Sequence, residues 1–199
     1  MTLKTELCPT PGYPFDTLFE IHYLLSREGL EVFSTVTNVG STTAPFGIGH
    51  HPYISFGPGA SVDDGLVSME AHSYLPSDPK SGSIEEKVSC AQSDLDFSKG
   101  KDMRGVRLDH TFLDMSRDQS GKSWVHISGQ DEQVVALWMD EHYSHVQLFS
   151  SDTLMGERRR KAIAVEPMTC GPQAFRSGES LLELNPSEQV SMSWGMSLL

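Results

Sequence analysis

The sequence predicts an all-β fold of the sandwich type. Short stretches in which apolar and polar residues alternate are separated by clusters of Gly, Pro, Asn, Asp and Ser, as expected for many strands joined by tight turns. No segment sustains the 3.6-residue apolar period of a long amphipathic helix. The 199 residues contain no linker, low-complexity tract or internal repeat, so one domain over residues 1–199 is expected.

The first two strands are predicted to form a hairpin after a turn-rich N-terminal segment. Residues 1–14 carry prolines at positions 9, 11 and 14, which favour turns. Apolar and polar side chains alternate in residues 18–25 and again in residues 30–37, and residues 26–29 (SREG) form a turn between them. This arrangement is typical of a β-hairpin.

Most other predicted strands lie in the second half of the chain. Residues 57–105 are polar and rich in Gly, Ser, Pro and Asp, so short strands and long loops are expected there. Residues 124–127, 134–139 and 146–149 have strand-like composition. A final strand with one buried and one polar face is predicted where apolar residues alternate with Ser and Gly, at Val190, Met192, Trp194 and Met196.

Composition narrows the classes of partner and location. The net charge of −12, from 27 acids and 15 bases, argues against nucleic acid and anionic membrane surfaces as partners. Cys8, Cys90 and Cys170 are far apart and form no CxxC, so neither a zinc site nor a disulfide framework is expected. Residues 1–15 lack the apolar core of a signal peptide, and no apolar run is long enough to span a bilayer. A cytoplasmic location, with no metal or other cofactor, is therefore predicted.

Residues 162–178 contain the first candidate catalytic group. Residues 162–165 predict a buried strand that ends at Glu166, and Pro167 biases Glu166 toward extended geometry. Turn-forming Gly and Pro residues follow. A carboxylate held rigidly at the rim of a sheet suits acid–base chemistry, although a single glutamate could equally cap a loop amide.

Residues 44–56 contain the second candidate group. His51 precedes Pro52 at the end of an apolar segment, as Glu166 precedes a proline. With unperturbed pKa values of about 6.5 for His and 4.3 for Glu, such a pair suits a proton donor and a proton acceptor. Neighbouring side chains in a strand point to opposite faces, so His50 and His51 are not predicted to share a metal ion.

Three segments together resemble the aldose 1-epimerases (mutarotases): residues 47–53 (GIGHHPY), 108–112 (LDHTF) and 165–169 (VEPMT). The resemblance extends from about residue 11 to residue 196. It implies a large, twisted antiparallel β-sandwich, the galactose mutarotase-like supersandwich, with a sugar cleft across one sheet. It further implies a monosaccharide substrate, His51 as proton donor, Glu166 as base, and Asp109 as a ligand of sugar hydroxyls, with no metal.

One departure from the family concerns length. Family members carry roughly a further third of chain before the point that matches residue 11, including strands, an arginine and another histidine of the sugar site. Strands 18–25 and 30–37 are therefore expected at an open sheet edge, where self-association or a partner chain would cover them. Two alternatives to an active epimerase remain open: a non-catalytic carbohydrate-binding remnant or half of a split epimerase, and a glycosidase using Asp109 and Glu166.

Two further segments are interpreted as surface. Residues 141–145 (EHYSH) have the wrong order for a helical metal motif and are predicted to form a solvated loop. Residues 157–161 (ERRRK) are the one basic run and are expected to be an exposed loop, with a phosphate-binding patch as the alternative.

Overall fold

The computed structural model describes residues 1–76, 86–91, 93–129 and 133–199. Within these ranges sixteen strands, two 3₁₀ turns and one four-residue helix are formed, and no helix is long and apolar enough to cross a membrane. The strands are β1 (Thr2–Leu7), β2 (Thr17–Leu25), β3 (Leu30–Asn38), β4 (Ala44–Phe46), β5 (Tyr53–Ile54), β6 (Leu66–Met69), β7 (Ala71–Leu75), β8 (Val88–Ser89), β9 (Lys101–Asp102), β10 (Asp109–Met115), β11 (Ser123–Ser128), β12 (Val134–Met139), β13 (His145–Phe149), β14 (Ile163–Met168), β15 (Leu182–Leu184) and β16 (Gln189–Leu198). The 3₁₀ turns are Val62–Asp64 and Gly156–Arg158, and the helix α1 is Ala174–Ser177.

The strands form two large antiparallel sheets and one small one. The eight-stranded sheet has the order β1-β2-β3-β16-β12-β11-β6-β9, and the six-stranded sheet has the order β5-β14-β13-β10-β7-β8. Strands β4 and β15 form a separate pair. The predicted antiparallel β-sandwich is confirmed.

A single apolar core joins the two large sheets. It is built from alternate residues of each strand, because successive side chains point to opposite faces. Fully burying one such side chain stabilises the fold by about 1.5–3 kcal/mol. The eight-stranded sheet contributes Val32, Val36, Val125, Leu137 and Trp194, and the six-stranded sheet contributes Phe112, Val146, Leu148 and Val165.

The predicted hairpin and the predicted last strand are both confirmed. Strands β2 and β3 pair from Leu25–Leu30 onward, and Gly29 in their turn has a φ of +130°. A Cβ atom on Gly29 would lie 2.1 Å from the Met196 carbonyl oxygen, so only glycine fits this turn. Strand β16 crosses the middle of the sheet with Met192 and Trp194 buried.

The prediction that strands 18–25 and 30–37 lie at an open sheet edge, after a turn-rich segment, is wrong. Residues 2–7 form strand β1, which pairs with β2 along its whole length. Strands β2 and β3 therefore have a neighbour on each side, and β1 is the outermost strand. All six residues of β1 are exposed, so it lacks the apolar alternation by which a half-buried strand is recognised.

Strand β14 is longer than predicted. It continues past Val165 to Met168, so Glu166 lies within the strand rather than in a following loop. The Pro167 carbonyl oxygen accepts a hydrogen bond from the backbone N–H of His50, so this carbonyl faces away from β13. The proline nitrogen faces the same side as its carbonyl. Pro167 is therefore accommodated, because the β13 ladder requires no donor at this position.

The solvated-loop prediction for residues 141–145 is wrong. Tyr143 is fully buried, and His145, at 3% exposure, begins strand β13. The turn is drawn inward because the Asp140 carboxylate accepts a hydrogen bond from the Ser193 hydroxyl on strand β16. Polar composition predicted exposure, whereas the turn packs its aromatic side chain into the core.

The basic run is exposed except at Arg160. The side chain of Arg160 is 13% exposed, and its guanidinium donates to both carboxylate oxygens of Asp63 and both of Asp152. It also donates to the Val106 carbonyl oxygen at 3.0 Å. Arg160 therefore ties together three loops rather than offering its charge to a phosphate group.

Candidate active site

Strands β10, β13 and β14 bring the predicted site residues to one face of the six-stranded sheet. Glu166 on β14 is the register partner of Gln147 on β13, and Gln147 is the partner of Thr111 on β10. Asp109 precedes Thr111 by two residues and therefore shares its face. A row of polar side chains thus crosses the centre of the sheet.

His51 and Glu166 are in direct contact. The His51 Nε2 atom lies 3.1 Å from Glu166 Oε1. The His51 ring stacks on Tyr53, with centroids 4.8 Å apart and planes inclined by 23°. The Glu166 side chain is 15% exposed and that of His51 is 52% exposed, so the carboxylate is shielded while the imidazole is open to solvent.

The surroundings of Glu166 favour proton uptake. Burial raises the pKa of its carboxyl above the ordinary value; the nearby His51 opposes this shift, and the charge of Asp109 adds to it. A carboxylate whose pKa moves toward neutrality is a stronger general base near physiological pH.

Asp109 is held by a hydrogen-bond chain. The Thr111 hydroxyl donates to Gln147 Oε1 at 2.5 Å, and Gln147 Nε2 donates to Asp109 Oδ1 at 2.7 Å. Sequence reasoning missed Gln147, which lies between Glu166 and Asp109 on the sheet. A signal was present, because Gln147 is the one polar residue in the otherwise apolar residues 146–149.

His50 faces the opposite way from His51, as strand alternation predicts. Its Nε2 atom lies 3.1 Å from the Ser34 hydroxyl, and its ring contacts Trp194 and Tyr143 at centroid distances of 5.4 and 6.1 Å. Burial lowers the pKa of His50 to about 4. His50 is therefore a neutral, partly buried residue that packs against the core behind the candidate site.

His50 makes fold stability sensitive to mild acid. The unfolded chain, with a histidine pKa of about 6.5, binds the proton more readily than the folded chain, whose His50 pKa is about 4. The contribution of His50 is therefore complete above pH 6.5 and is lost as the pH falls toward 4, by roughly 3 kcal/mol in total. Between pH 7.5 and pH 5, the free energy of unfolding measured in urea should fall less for His50→Gln than for the wild type. Equal decreases for the two proteins would contradict this account.

A cleft of about 730 Å³ lies on the same face of the six-stranded sheet. None of His51, Asp109 and Glu166 lines this cleft. Leu75, however, is the register partner of Thr111, and His145 precedes Gln147 by two residues on β13. The cleft therefore continues the polar row in the direction of the loop after β14. Its lining includes Leu75, Lys87, His145, Gly171, Arg176 and Glu179.

The two antiparallel sheets and the polar row across one of them define a galactose mutarotase-like β-sandwich. The aldose 1-epimerase family model matches residues 1–197, and the chain belongs to that family. This confirms the resemblance and extends its start from about residue 11 to residue 1. The chain is also 31% identical over 186 residues to the uncharacterized protein YihR of Escherichia coli K12, covering 92% of this chain and 56% of YihR.

Solved structures share the fold at low sequence identity. An aldose epimerase homologue from C. elegans matches with a TM-score of 0.84 at 15% identity, over all of this chain and 65% of its own. A galactose mutarotase-like protein from Clostridium acetobutylicum matches with a TM-score of 0.81 at 16% identity, and the match covers all of this chain and 62% of that protein. A galactose 1-epimerase from Lactobacillus acidophilus matches with a TM-score of 0.76 at 18% identity, again over all of this chain and 62% of that protein. The chain thus spans little more than half of YihR and under two thirds of these structures.

Proposed function

We propose that this chain catalyses the interconversion of the α and β anomers of a free hexose. The observation that carries the proposal is the 3.1 Å contact between His51 Nε2 and Glu166 Oε1 on the sheet face that also holds Asp109. Membership of the aldose 1-epimerase family supports the same chemistry. The substrate is a monosaccharide of the glucose or galactose type.

The mechanism uses one base and one acid. Glu166 takes the proton of the anomeric hydroxyl while protonated His51 gives a proton to the ring oxygen, so the ring opens to the aldehyde. Rotation about the C1–C2 bond presents the other face of the aldehyde, and the ring closes with Glu166 as acid and His51 as base. Both residues return to their starting protonation states, so a full turnover balances.

Asp109 is proposed to orient the sugar. A carboxylate accepts strong hydrogen bonds from hydroxyl groups, and Gln147 fixes the Asp109 carboxylate by donating to Oδ1 at 2.7 Å. Holding the sugar in one orientation places the ring oxygen and the anomeric hydroxyl against His51 and Glu166, which itself contributes to the rate.

The geometry does not favour glycoside hydrolysis. That chemistry needs two carboxylates facing each other across the scissile bond. The contact of Glu166 is with His51, and Asp109 is engaged by Gln147 on the neighbouring strand. Release of an aglycone from aryl glycosides would restore the glycosidase hypothesis.

A second candidate function is sugar binding without turnover. It is motivated by length, since the chain spans 56% of YihR and about 62–65% of three solved relatives. A binding module, or one half of a split epimerase, would bind hexoses in calorimetry and leave anomer equilibration at the buffer rate. Turnover by the isolated chain would exclude this candidate.

Polarimetry tests the proposed activity. Freshly dissolved α-glucose and α-galactose should each be followed with and without the chain, at the same pH and buffer concentration. The account predicts equilibration faster than buffer in proportion to the protein concentration. If neither sugar equilibrates faster than buffer, the activity is lost for these substrates.

We further propose that two copies of this chain pair through strand β1. In the described part of the chain, β1 has β2 on one side and no strand on the other, which leaves a row of backbone donors and acceptors unpaired. An antiparallel pair of β1 strands centred on Thr5 would place Leu3 opposite Leu7 and Lys4 opposite Glu6.

Light scattering on the 199-residue chain tests this pairing. A dimer is expected, and Glu6→Pro should return it to a monomer. The Glu6 N–H lies on the edge of β1 that faces away from β2, so proline there removes a donor to the second copy and leaves the β1–β2 ladder intact. A compact wild-type monomer with a cooperative melt would contradict the proposal. A chain that becomes well behaved only with a different polypeptide would replace the second copy with that partner.

The proposed location is the cytoplasm. Cys8, Cys90 and Cys170 are all free thiols in the structure, as expected in a reducing compartment. Cell fractionation with an antibody to the native protein is the direct check, and recovery in an oxidising compartment would contradict it.

A further inference from the structure

His145 lies at the floor of the cleft and has no part in the acid–base mechanism. It is 3% exposed and lines the cleft together with Leu75 and Gly171. On strand β13 it precedes Gln147 by two residues, so it shares the sheet face of the polar row. Diagonal neighbours across paired strands lie roughly 7–8 Å apart, which is the relation between His145 and Glu166.

The hydrogen bonds of Ser144 determine the tautomer of His145. The Ser144 hydroxyl donates to the Thr169 carbonyl oxygen at 2.8 Å, and a carbonyl oxygen only accepts. The same hydroxyl oxygen lies 2.8 Å from His145 Nδ1. Since its one proton is already used, the hydroxyl must accept from Nδ1, which therefore carries the ring proton.

The Nε2 atom of His145 is then left as an acceptor. Burial lowers the pKa of the imidazole, while Glu179 and Asp114 oppose the shift, so the ring is neutral at physiological pH. No hydrogen bond from the described part of the protein reaches Nε2. A Cβ atom at position 171 would lie 3.3 Å from Nε2, so the glycine found there keeps a side chain off this nitrogen in the lining of the cleft.

We propose that His145 Nε2 accepts a hydrogen bond from a hydroxyl group of the bound sugar, which makes His145 a specificity-determining residue. The inference rests on the proposed function, because it places the anomeric centre at Glu166 and a different hydroxyl at His145. A buried acceptor left without its donor costs free energy. The site therefore discriminates against sugars that lack this one hydroxyl.

Kinetics with deoxy sugars test the role. His145→Leu should lower kcat/KM for galactose about tenfold or more, because the buried acceptor is lost. For one monodeoxygalactose, the sugar that lacks the contacted hydroxyl, the same variant should cause almost no further loss. His145→Gln, whose amide oxygen reaches the Nε2 position, should recover part of the rate. His22→Leu, at an exposed histidine of β2, is the matched control and should change nothing.

Equal losses for every deoxy sugar would show that His145→Leu only disturbs the fold, and the inference would fail. An unchanged kcat/KM for galactose in His145→Leu would also contradict the inference. Gly171→Ala adds an independent variant, since it keeps the imidazole but places a methyl group beside Nε2. It should weaken galactose binding about as much as His145→Leu does.

Nitrogen NMR of the imidazole rings separates this inference from the proposed function. The wild type should show a proton on Nδ1 of His145, and added galactose should shift the Nε2 resonance while leaving His22 unchanged. A shift without turnover would retain the binding role and remove the epimerase activity. Turnover without a shift, or a proton on Nε2, would overturn the role of His145 alone.

Discussion

Replacement of Glu166 by glutamine is expected to lower the turnover number for anomer interconversion at least about a hundredfold. General base catalysis typically contributes 10²–10⁴-fold to a rate. The amide has the size of the acid and keeps a group opposite His51, but it cannot take up the anomeric proton. Because Glu166 is 15% exposed and its negative charge is partly desolvated, removing that charge should not lower the melting temperature.

Two variants complete this test. His51→Asn should reduce turnover to a comparable extent, since it removes the proton donor to the ring oxygen. The wild-type rate should also fall in acid as Glu166 becomes protonated. Because burial raises the pKa of Glu166, this fall should begin at a higher pH than the ordinary carboxyl pKa would give. If Glu166→Gln keeps nearly the full rate with an unchanged melt, Glu166 is structural and the acid–base assignment is wrong.

Replacement of Arg160 by leucine should lower the free energy of unfolding more than any other substitution proposed for this protein. The guanidinium neutralises Asp63 and Asp152, and its 13% exposure means that little solvent would replace it. Removing one partner of a buried ion pair costs about 3–5 kcal/mol, and the 40% exposure of Asp63 puts this case near 3 kcal/mol. Urea unfolding at pH 7.5, with the transition midpoint and slope both fitted, measures the effect.

Neighbouring substitutions serve as controls for Arg160. Arg158→Leu removes an exposed arginine from the same loop and should change stability by no more than about 0.5 kcal/mol. Arg160→Lys keeps the charge but loses the planar fork that engages two carboxylates, so its cost should be intermediate. Equal stability for Arg160→Leu and Arg158→Leu would show that the loop network contributes nothing.

Local chemistry made part of the site predictable. Strand alternation separates His50 from His51, and the prolines after His51 and Glu166 hold both in extended backbone. Those two rules are local, and the structure obeys them: His50 packs against the buried Trp194, while His51 lies 3.1 Å from Glu166. Their proximity itself came only from the family resemblance, because no local pattern encodes the register between distant strands.

The features that sequence reasoning missed depend on long-range packing. Gln147 reaches Asp109 because β13 lies between β10 and β14, an order that the chain does not reveal locally. His145 lies in a polar segment whose composition indicates exposure, yet Tyr143 anchors that turn in the core. Strand β1 was not predicted because all of its residues are exposed, and an exposed edge strand has no apolar face from which to recognise it.

Exchange NMR of the anomeric protons measures the central claim most directly. Galactose at equilibrium gives separate α and β signals, and magnetisation passes between them only when one anomer converts to the other. The account predicts exchange cross-peaks that grow with the concentration of the wild-type chain and vanish with Glu166→Gln. Exchange at the buffer rate with the wild type, or undiminished exchange with Glu166→Gln, would contradict it.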